Sequence, residues 1–228
     1  MKVLITGANR GIGLGLTERF AHFGHEVVAC CRNPDGAREL WEVESESRGR
    51  VKIKQLDITQ QADVDKLAAD MRGETIDILL NNAGMLLDFD SSIKELSIDA
   101  LERSFEVNTI GPIRVVKGFL ANLEKSSSPI IANISSKVGS IADNSSGRGY
   151  AYRSSKTALN MLNTCLDIEL QKICCVVIHP GWVKTDMGGQ AAPTDILESS
   201  ESLTHLITRL DLKDSGRFLD YQGNDIPW

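Results

Sequence analysis

Short apolar runs rich in β-branched residues recur along the chain at Lys2 to Thr6, Glu26 to Cys31, Val51 to Leu56, Ile76 to Leu80, Pro129 to Ile134 and Ile173 to Ile178. Stretches with helical spacing separate them. After the first run, Ile12, Leu16, Phe20 and Phe23 fall on one helical face, and Gly24 follows where a left-handed cap is common. From Asp99 to about Lys125, the positions Leu101, Phe105, Ile110, Ile113 and Val116 predict one long packed helix, and Ala151 to Gln171 predicts another. Strands that alternate with helices form βαβ units, whose strands pair in parallel. The pattern therefore predicts an α/β fold, a doubly wound parallel sheet with helices on both faces.

Nothing inside the chain resembles a linker, and repeats and low-complexity tracts are absent, so residues 1–228 are expected to form a single domain. Glu42 to Arg50 and Glu198 to Ser202 are polar enough to be exposed or mobile. The second falls in a region, about 186–205, where a flexible substrate loop would have the same composition. Hydrophobic residues make up 42% of the sequence. No apolar run approaches the roughly 20 residues needed to cross a bilayer, so a soluble protein with no membrane partner is expected. The opening Met1 to Gly7 runs directly into a glycine turn and reads as the first strand, not as a cleaved leader.

Four of the five cysteines are neighbours, Cys30-Cys31 and Cys174-Cys175, within strand-like runs, where adjacent side chains face opposite ways. That arrangement disfavours both a disulfide framework and a metal site, and it fits buried thiols in a reducing cytoplasm. The net charge of −6 argues against a nucleic-acid surface. Any phosphate ligand must therefore be held by local cations. Composition leaves the oligomeric state open between monomer, homodimer and tetramer.

The turn Thr6-Gly7-Ala8-Asn9-Arg10-Gly11-Ile12-Gly13 joins the first strand to the first helix, the place where a dinucleotide pyrophosphate meets backbone N–H groups. Its spacing is Gly-x-x-x-Gly-x-Gly, different from the common dinucleotide fingerprint. Gly7, Asn9, Arg10, Gly11, Ile12 and Gly13 are the cofactor candidates here. NAD enzymes usually place a carboxylate at the end of the second strand, but this chain has Arg32 after Cys31. Arg32, with Arg10, would suit a ribose 2′-phosphate, which favours NADPH/NADP+ over NADH. Two ordinary surface cations remain the alternative, which leaves the missing acid unexplained.

Tyr152 and Lys156 stand four apart and share a helical face. Alone, that spacing also suits a packed tyrosine beside a solvated lysine. Their company matters more: the glycine turn is followed by Asn81-Asn82-Ala83-Gly84, Asn108, Asn133-Ile134-Ser135-Ser136, the tyrosine and lysine, and Pro180-Gly181-Trp182-Val183-Lys184-Thr185. In this order, and over nearly its whole length, the chain resembles the short-chain dehydrogenase/reductase family, with a Rossmann-type sheet. Within it, the chain is similar to the carbonyl reductases of the sniffer and C-factor kind, a likeness to which Gly216-Arg217-Phe218 and Gly223 to Trp228 contribute.

The resemblance implies a carbonyl reductase in which Tyr152 is the general acid, Lys156 supports it, Ser136 holds the carbonyl oxygen and Asn108 keeps a water in the proton relay. A lysine ammonium nearby would favour the ionised form of a tyrosine whose ordinary pKa is about 10. Ser135 is adjacent to Ser136 and open as an alternative, although the family pattern selects the second serine. The resemblance further implies that Asp57 and Ile58 flank the adenine, that Asn81, Ala83 and Gly84 line the cofactor, and that Val183 and Thr185 meet the nicotinamide amide. Asp57 could instead cap the helix that follows, Asn82 would serve the sheet, and His179 reads as structural. The expected substrate is a small apolar aldehyde, ketone or quinone, held between Met85 to Ser91, Lys137 to Gly149 and Asp186 to Ser200; Leu86, Leu87, Val138 and Met187 supply apolar walls. Lys137 to Gly149 is longer than is usual in the family. Two other functions stay open, an NAD-linked alcohol dehydrogenase and a dinucleotide-binding signalling protein with little turnover.

Overall fold

The computed structural model describes residues 1–228. Seven strands form one parallel sheet: β1 (Lys2–Thr6), β2 (Glu26–Cys31), β3 (Val51–Gln55), β4 (Ile78–Asn81), β5 (Ile130–Ile134), β6 (Cys174–His179) and β7 (Phe218–Asp220), in the spatial order β3-β2-β1-β4-β5-β6-β7. The first six coincide with the apolar runs. β7 is three residues long and too short to show a period.

The strands are hydrophobic throughout because both faces are covered. Val3, Ile5, Val27, Ala29, Ile130 and Ala132 face a cluster with Leu16 and Phe20 of α1 (Gly11–His22), Leu40 of α2 (Arg38–Glu46), and Leu203 and Ile207 of α7 (Ile196–Ile207). The alternate residues Leu4, Val28, Leu79 and Ile131 face Val64 and Leu67 of α3 (Gln61–Asp70) and Val115, Val116 and Phe119 of α5 (Gly111–Leu123). The adjacent cysteines obey the same alternation: Cys31 and Cys174 join the first cluster, and Cys30 and Cys175 the second. Burial pushes all four thiols up, Cys174 and Cys175 to about 12, which makes them inert packing residues.

Two expectations are refined and one is corrected. The long helix expected from Asp99 to Lys125 runs without a gap from Ile98 to Leu123, as α4 (Ile98–Phe105), a π-helical turn at Glu106–Ile110, and α5. Part of the polar stretch Glu42 to Arg50 belongs to α2, whose Leu40 reaches the core; the stretch itself is largely exposed, as expected, with Glu44 Oε1 accepting from the Ile53 N–H at 3.0 Å. The flexible loop expected over about 186–205 ends at Asp195, because α7 begins at Ile196 and buries Ser199, Ser200, Leu203 and Ile207. Asp195 caps it, its Oδ1 accepting from the Glu198 N–H at 2.7 Å. The remaining long helix, α6 (Tyr150–Glu169), lies close to its expected position. No helix is long and apolar enough to cross a membrane.

Candidate active site

The chain order reverses between β1 and β4, which opens a crevice at the carboxyl ends of these strands. Gly7, after β1, and Ala83, after β4, form its floor so closely that a methyl group on Gly7 would lie 2.9 Å from Ala83 Cα. Gly7 has φ +67° and Gly11 φ +56°, backbone conformations that favour glycine. A methyl on Gly13 would sit 2.2 Å from the Gly7 carbonyl oxygen. α1 starts at Gly11, and no side chain caps it and no acid lies in its first turn. An uncapped helix N-terminus behind glycines is a cradle that fits a pyrophosphate. Asn9 and Ile12 are half-buried at its edge.

Around this cradle the two arginines differ. Arg32 is exposed beyond β2, and its side chain enters no ion pair. Arg10 is exposed too, but its guanidinium is paired with Asp186 in the loop after β6. Thr185, next to Asp186, rests a methyl group against Gly11, where a Cβ would meet it at 3.4 Å. Val183 is buried and held by a bridge to Thr194.

Several residues expected at the cofactor have side chains engaged within the fold. Ile58 is buried, its side chain packing so tightly on Gly111 that a methyl there would lie 2.7 Å from Ile58 Cδ1. Asn81 is also buried, and its Nδ2 donates to Asn133 Oδ1 at 2.8 Å within the sheet. By alternation along β4 it shares the face of Leu79, which α5 covers, and its Nδ2 lies 3.5 Å from the Pro112 carbonyl there. Asp57 accepts from the Thr59 N–H and hydroxyl at 2.9 and 2.7 Å, a local turn; Gln60, not Asp57, precedes α3 as its N-cap. Asn82 donates to the Thr6 and Gly7 carbonyls at 3.0 and 3.2 Å, as its sheet-serving role requires. Gly84 is exposed, and a Cβ there would meet Asn108 Oδ1 at 3.3 Å and Lys156 Nζ at 3.6 Å.

Gly84 therefore lies over the side chains expected to do chemistry. Tyr152 and Lys156 occupy the same face of α6, with Lys156 Nζ 5.8 Å from the centre of the tyrosine ring. Phe89 closes the ring's other side edge-on at 6.1 Å. Ser136 follows β5 at the start of a 3₁₀ turn, Lys137–Gly139, where its hydroxyl oxygen accepts from the Val138 N–H at 3.4 Å and lies near enough to the Tyr152 hydroxyl to pull its pKa down. Ser135 instead is buried, its hydroxyl donating to Asn160 Oδ1 at 2.7 Å. Adjacent residues of an extended strand point oppositely, and only Ser136 faces the tyrosine hydroxyl.

Asn108 is fully buried in the π-turn that interrupts the α4–α5 helix. Its Oδ1 accepts from the Met85 N–H at 2.8 Å, and its Nδ2 donates to the Met85 carbonyl at 2.9 Å and to Ser155 Oγ at 3.0 Å. The amide thus joins the strand end at Gly84–Met85 to α6. π-turns of this kind recur at functional sites because they re-aim side chains out of helical register.

Burial dominates the electrostatics. The Tyr152 hydroxyl is pushed up to about 12, with the Ser136 hydrogen bond pulling the other way, so the depression expected from Lys156 does not prevail. The ammonium of Lys156 loses its hydration, gains only the Ile134 carbonyl at 2.8 Å, and falls to about 8. A protonated phenol beside an amine that exchanges protons near neutrality is suited to proton donation followed by recharging. His179 reaches about 4 through burial, which keeps it neutral, and it stands apart from this group beside Asp220.

Comparison with known proteins agrees with this geometry. The model of the family described as short chain dehydrogenase matches residues 1–195. The C-signal protein of Myxococcus xanthus is 37% identical over 155 residues, covering 67% of this chain and 93% of that protein. Among solved structures, NADPH-bound carbonyl reductase from chicken fatty liver superposes with a TM-score of 0.93 at 35% identity, covering 100% of this chain and 98% of that one. The carbonyl reductase Sniffer of D. melanogaster gives a TM-score of 0.92 at 35% identity, covering 100% and 99%.

Proposed function

The chain belongs to the short chain dehydrogenase family, and from that premise we propose that it reduces the carbonyl group of small apolar aldehydes, ketones or quinones with NADPH. One observation carries this reading: Tyr152, Lys156, Ser136 and Asn108 meet at the carboxyl end of the sheet, beside a glycine cradle shaped for a dinucleotide. Gly7, Gly11 and Gly13 would hold the pyrophosphate of NADPH, which would supply hydride for the carbonyl carbon. Ser136 donates a hydrogen bond to the carbonyl oxygen and orients it. Tyr152, protonated at neutral pH, gives its proton to that oxygen as negative charge develops there. Lys156 returns a proton to the phenolate, and Asn108 fixes the backbone at Met85 against α6. Half-buried Leu86, Leu87 and Val138 favour an apolar substrate.

Support for NADPH over NADH comes from Arg32, where NAD enzymes place a carboxylate, and from the NADPH bound in the chicken carbonyl reductase. Arg32→Asp replaces attraction for a 2′-phosphate with repulsion. Its expected result is a shift of at least about tenfold in the ratio of NADPH to NADH dissociation constants toward NADH, roughly 1.4 kcal/mol, read by nucleotide fluorescence titration. An unchanged ratio would place the phosphate elsewhere.

The activity test is NADPH oxidation by the purified protein against a panel of carbonyl compounds, followed by absorbance. The same assay has a pH signature. Tyr152 keeps its proton to about 12, whereas Lys156 loses its own above about 8. The reduction rate at saturating substrate is expected to be level below that value and to fall about tenfold per pH unit above it. A profile level to pH 9.5 would remove Lys156 from the relay. Identity with C-signal favours one second reading, a dinucleotide-binding signalling protein; NADPH binding without turnover over the whole panel would select it. Turnover with a preference for NAD+ and alcohols would select an alcohol dehydrogenase.

A further inference from the structure

α6 presents Tyr152, Lys156, Asn160 and Asn163 toward β5 and the turn after it, and each has a partner there. The Tyr152 hydroxyl faces the Ser136 hydroxyl, and Lys156 Nζ donates to the Ile134 carbonyl at 2.8 Å. Below them, Asn160 Oδ1 accepts from the Ser135 hydroxyl at 2.7 Å, and Asn163 Oδ1 accepts from Asn133 Nδ2 at 2.9 Å. The lowest rung continues across the sheet: Asn133 Oδ1 accepts from Asn81 Nδ2 at 2.8 Å on β4, and Asn163 Nδ2 donates to the Cys175 carbonyl at 3.2 Å on β6. The reacting pair is the top of a ladder whose lower rungs face neither the crevice nor solvent.

Asn81, Asn133, Ser135, Asn160 and Asn163 are all at most 3% exposed. Apolar side chains in these places would avoid the desolvation of four amides and a hydroxyl. The polar atoms of this network are paired apart from Asn81 Oδ1, and a buried network of this kind contributes direction more than stability, because its bonds form in one register only. Apolar packing, in contrast, is non-directional and lets a helix slide or roll over a sheet. Each residue advances a helix by only about 1.5 Å, and a misplacement of about 1 Å at a reacting group costs on the order of 10²-fold in rate.

We propose that Asn160 and Asn163 are positioning residues: with Ser135 and Asn133 they lock the axial and rotational register of α6 against β5, and so hold the Tyr152 hydroxyl over Ser136. This rests on the carbonyl reductase reading for its kinetic consequence, though not for its geometry. Asn81 extends the lock to β4, the strand that leads into Ala83 and Gly84. The network explains why a residue expected at the cofactor is buried among amides.

The test compares Asn160→Ala, Asn163→Ala and Ser135→Ala with the wild type in melting temperature, NADPH dissociation constant, kcat and KM. It also follows the Cζ resonance of Tyr152 in protein labelled with ¹³C-tyrosine, without ligand. The expected result is a fall in kcat of at least tenfold, with KM and the NADPH dissociation constant within twofold, and a shifted or broadened Tyr152 resonance. Lower melting temperatures with unchanged kcat and an unmoved resonance would overturn the proposal, since the ladder would then serve only the fold. Should Asn163→Ala fail to fold, Asn160→Ala and Ser135→Ala, which each open the rung nearest the site, decide alone. If the wild type turns over no carbonyl compound, the functional reading fails by itself, and the Tyr152 resonance still decides whether the ladder positions the ring.

Discussion

Tyr152→Phe is expected to lower kcat for carbonyl reduction by about 10³-fold, within the 10²–10⁴-fold range of a lost general acid, while the protein folds and binds NADPH as before. The change removes one oxygen and keeps the ring. The edge-on contact with Phe89 at 6.1 Å and the Lys156 ammonium above the ring are both apolar or electrostatic contacts of the ring itself, and phenylalanine retains them. The hydroxyl's side-chain neighbour is Ser136, which is half-exposed and already accepts from the Val138 N–H at 3.4 Å. Burying the hydroxyl carries a desolvation cost that phenylalanine avoids, so the melting temperature should stay level or rise slightly. Single-turnover absorbance at saturating NADPH isolates the step. Residual activity above a tenth of wild type would show that Tyr152 is not the proton donor.

The reach of the sequence follows from which forces leave a period in it. Six strands were legible because both faces of a parallel sheet are buried, and the runs around Leu4, Val28 and Ile131 are therefore continuous. β7 was not, since three residues carry no period. α7 was hidden by its serines: Ser199 and Ser200 look solvated, yet Ser199 donates to the Pro180 carbonyl at 2.7 Å and both are buried. Asp195 followed by Glu198 was the available signal, an acid at the cap and another three residues on. The π-turn at Asn108 was invisible because the apolar spacing runs on through it.

For the site, motif order located Tyr152, Lys156, Ser136 and Asn108, and the structure brings them together. The side chains of Asn81 and Ile58 are taken up within the fold, by Asn133 and against Gly111. Motif transfer assigns a residue to a ligand without saying which way its side chain points, and alternation along β4 puts Asn81 on the face of Leu79, which α5 covers. Asn160 and Asn163 went unnoticed for the same reason. A polar residue on a helix reads as solvated until the opposite element shows an amide waiting for it.

Lys156→Met carries the other large expectation, in which activity and stability move in opposite directions. The lysine is only 3% exposed, and its ammonium has a single carbonyl partner. Burial lowers its pKa from 10.5 to about 8, a difference equivalent to about 3 kcal/mol against the charged form. The sign follows from proton binding: between about 8 and 10.5 the unfolded chain holds a proton there that the folded protein has released, so stability rises with pH across that window. Below about 8 both states are protonated and the whole cost is present. Methionine keeps the unbranched shape without the charge and forfeits the Ile134 hydrogen bond, worth about 1 kcal/mol. Lys156→Met should therefore be about 2 kcal/mol more stable than wild type at pH 7, a difference that narrows as pH approaches 10.5, and should lose about 10²-fold or more in kcat because nothing recharges Tyr152. Urea unfolding at pH 7 and 10 reads the first, and steady-state NADPH oxidation the second. A variant less stable than wild type at pH 7 would mean that the ammonium is held by the fold for its bonds and not against its solvation, and a variant with full activity would leave the buried charge without a chemical purpose.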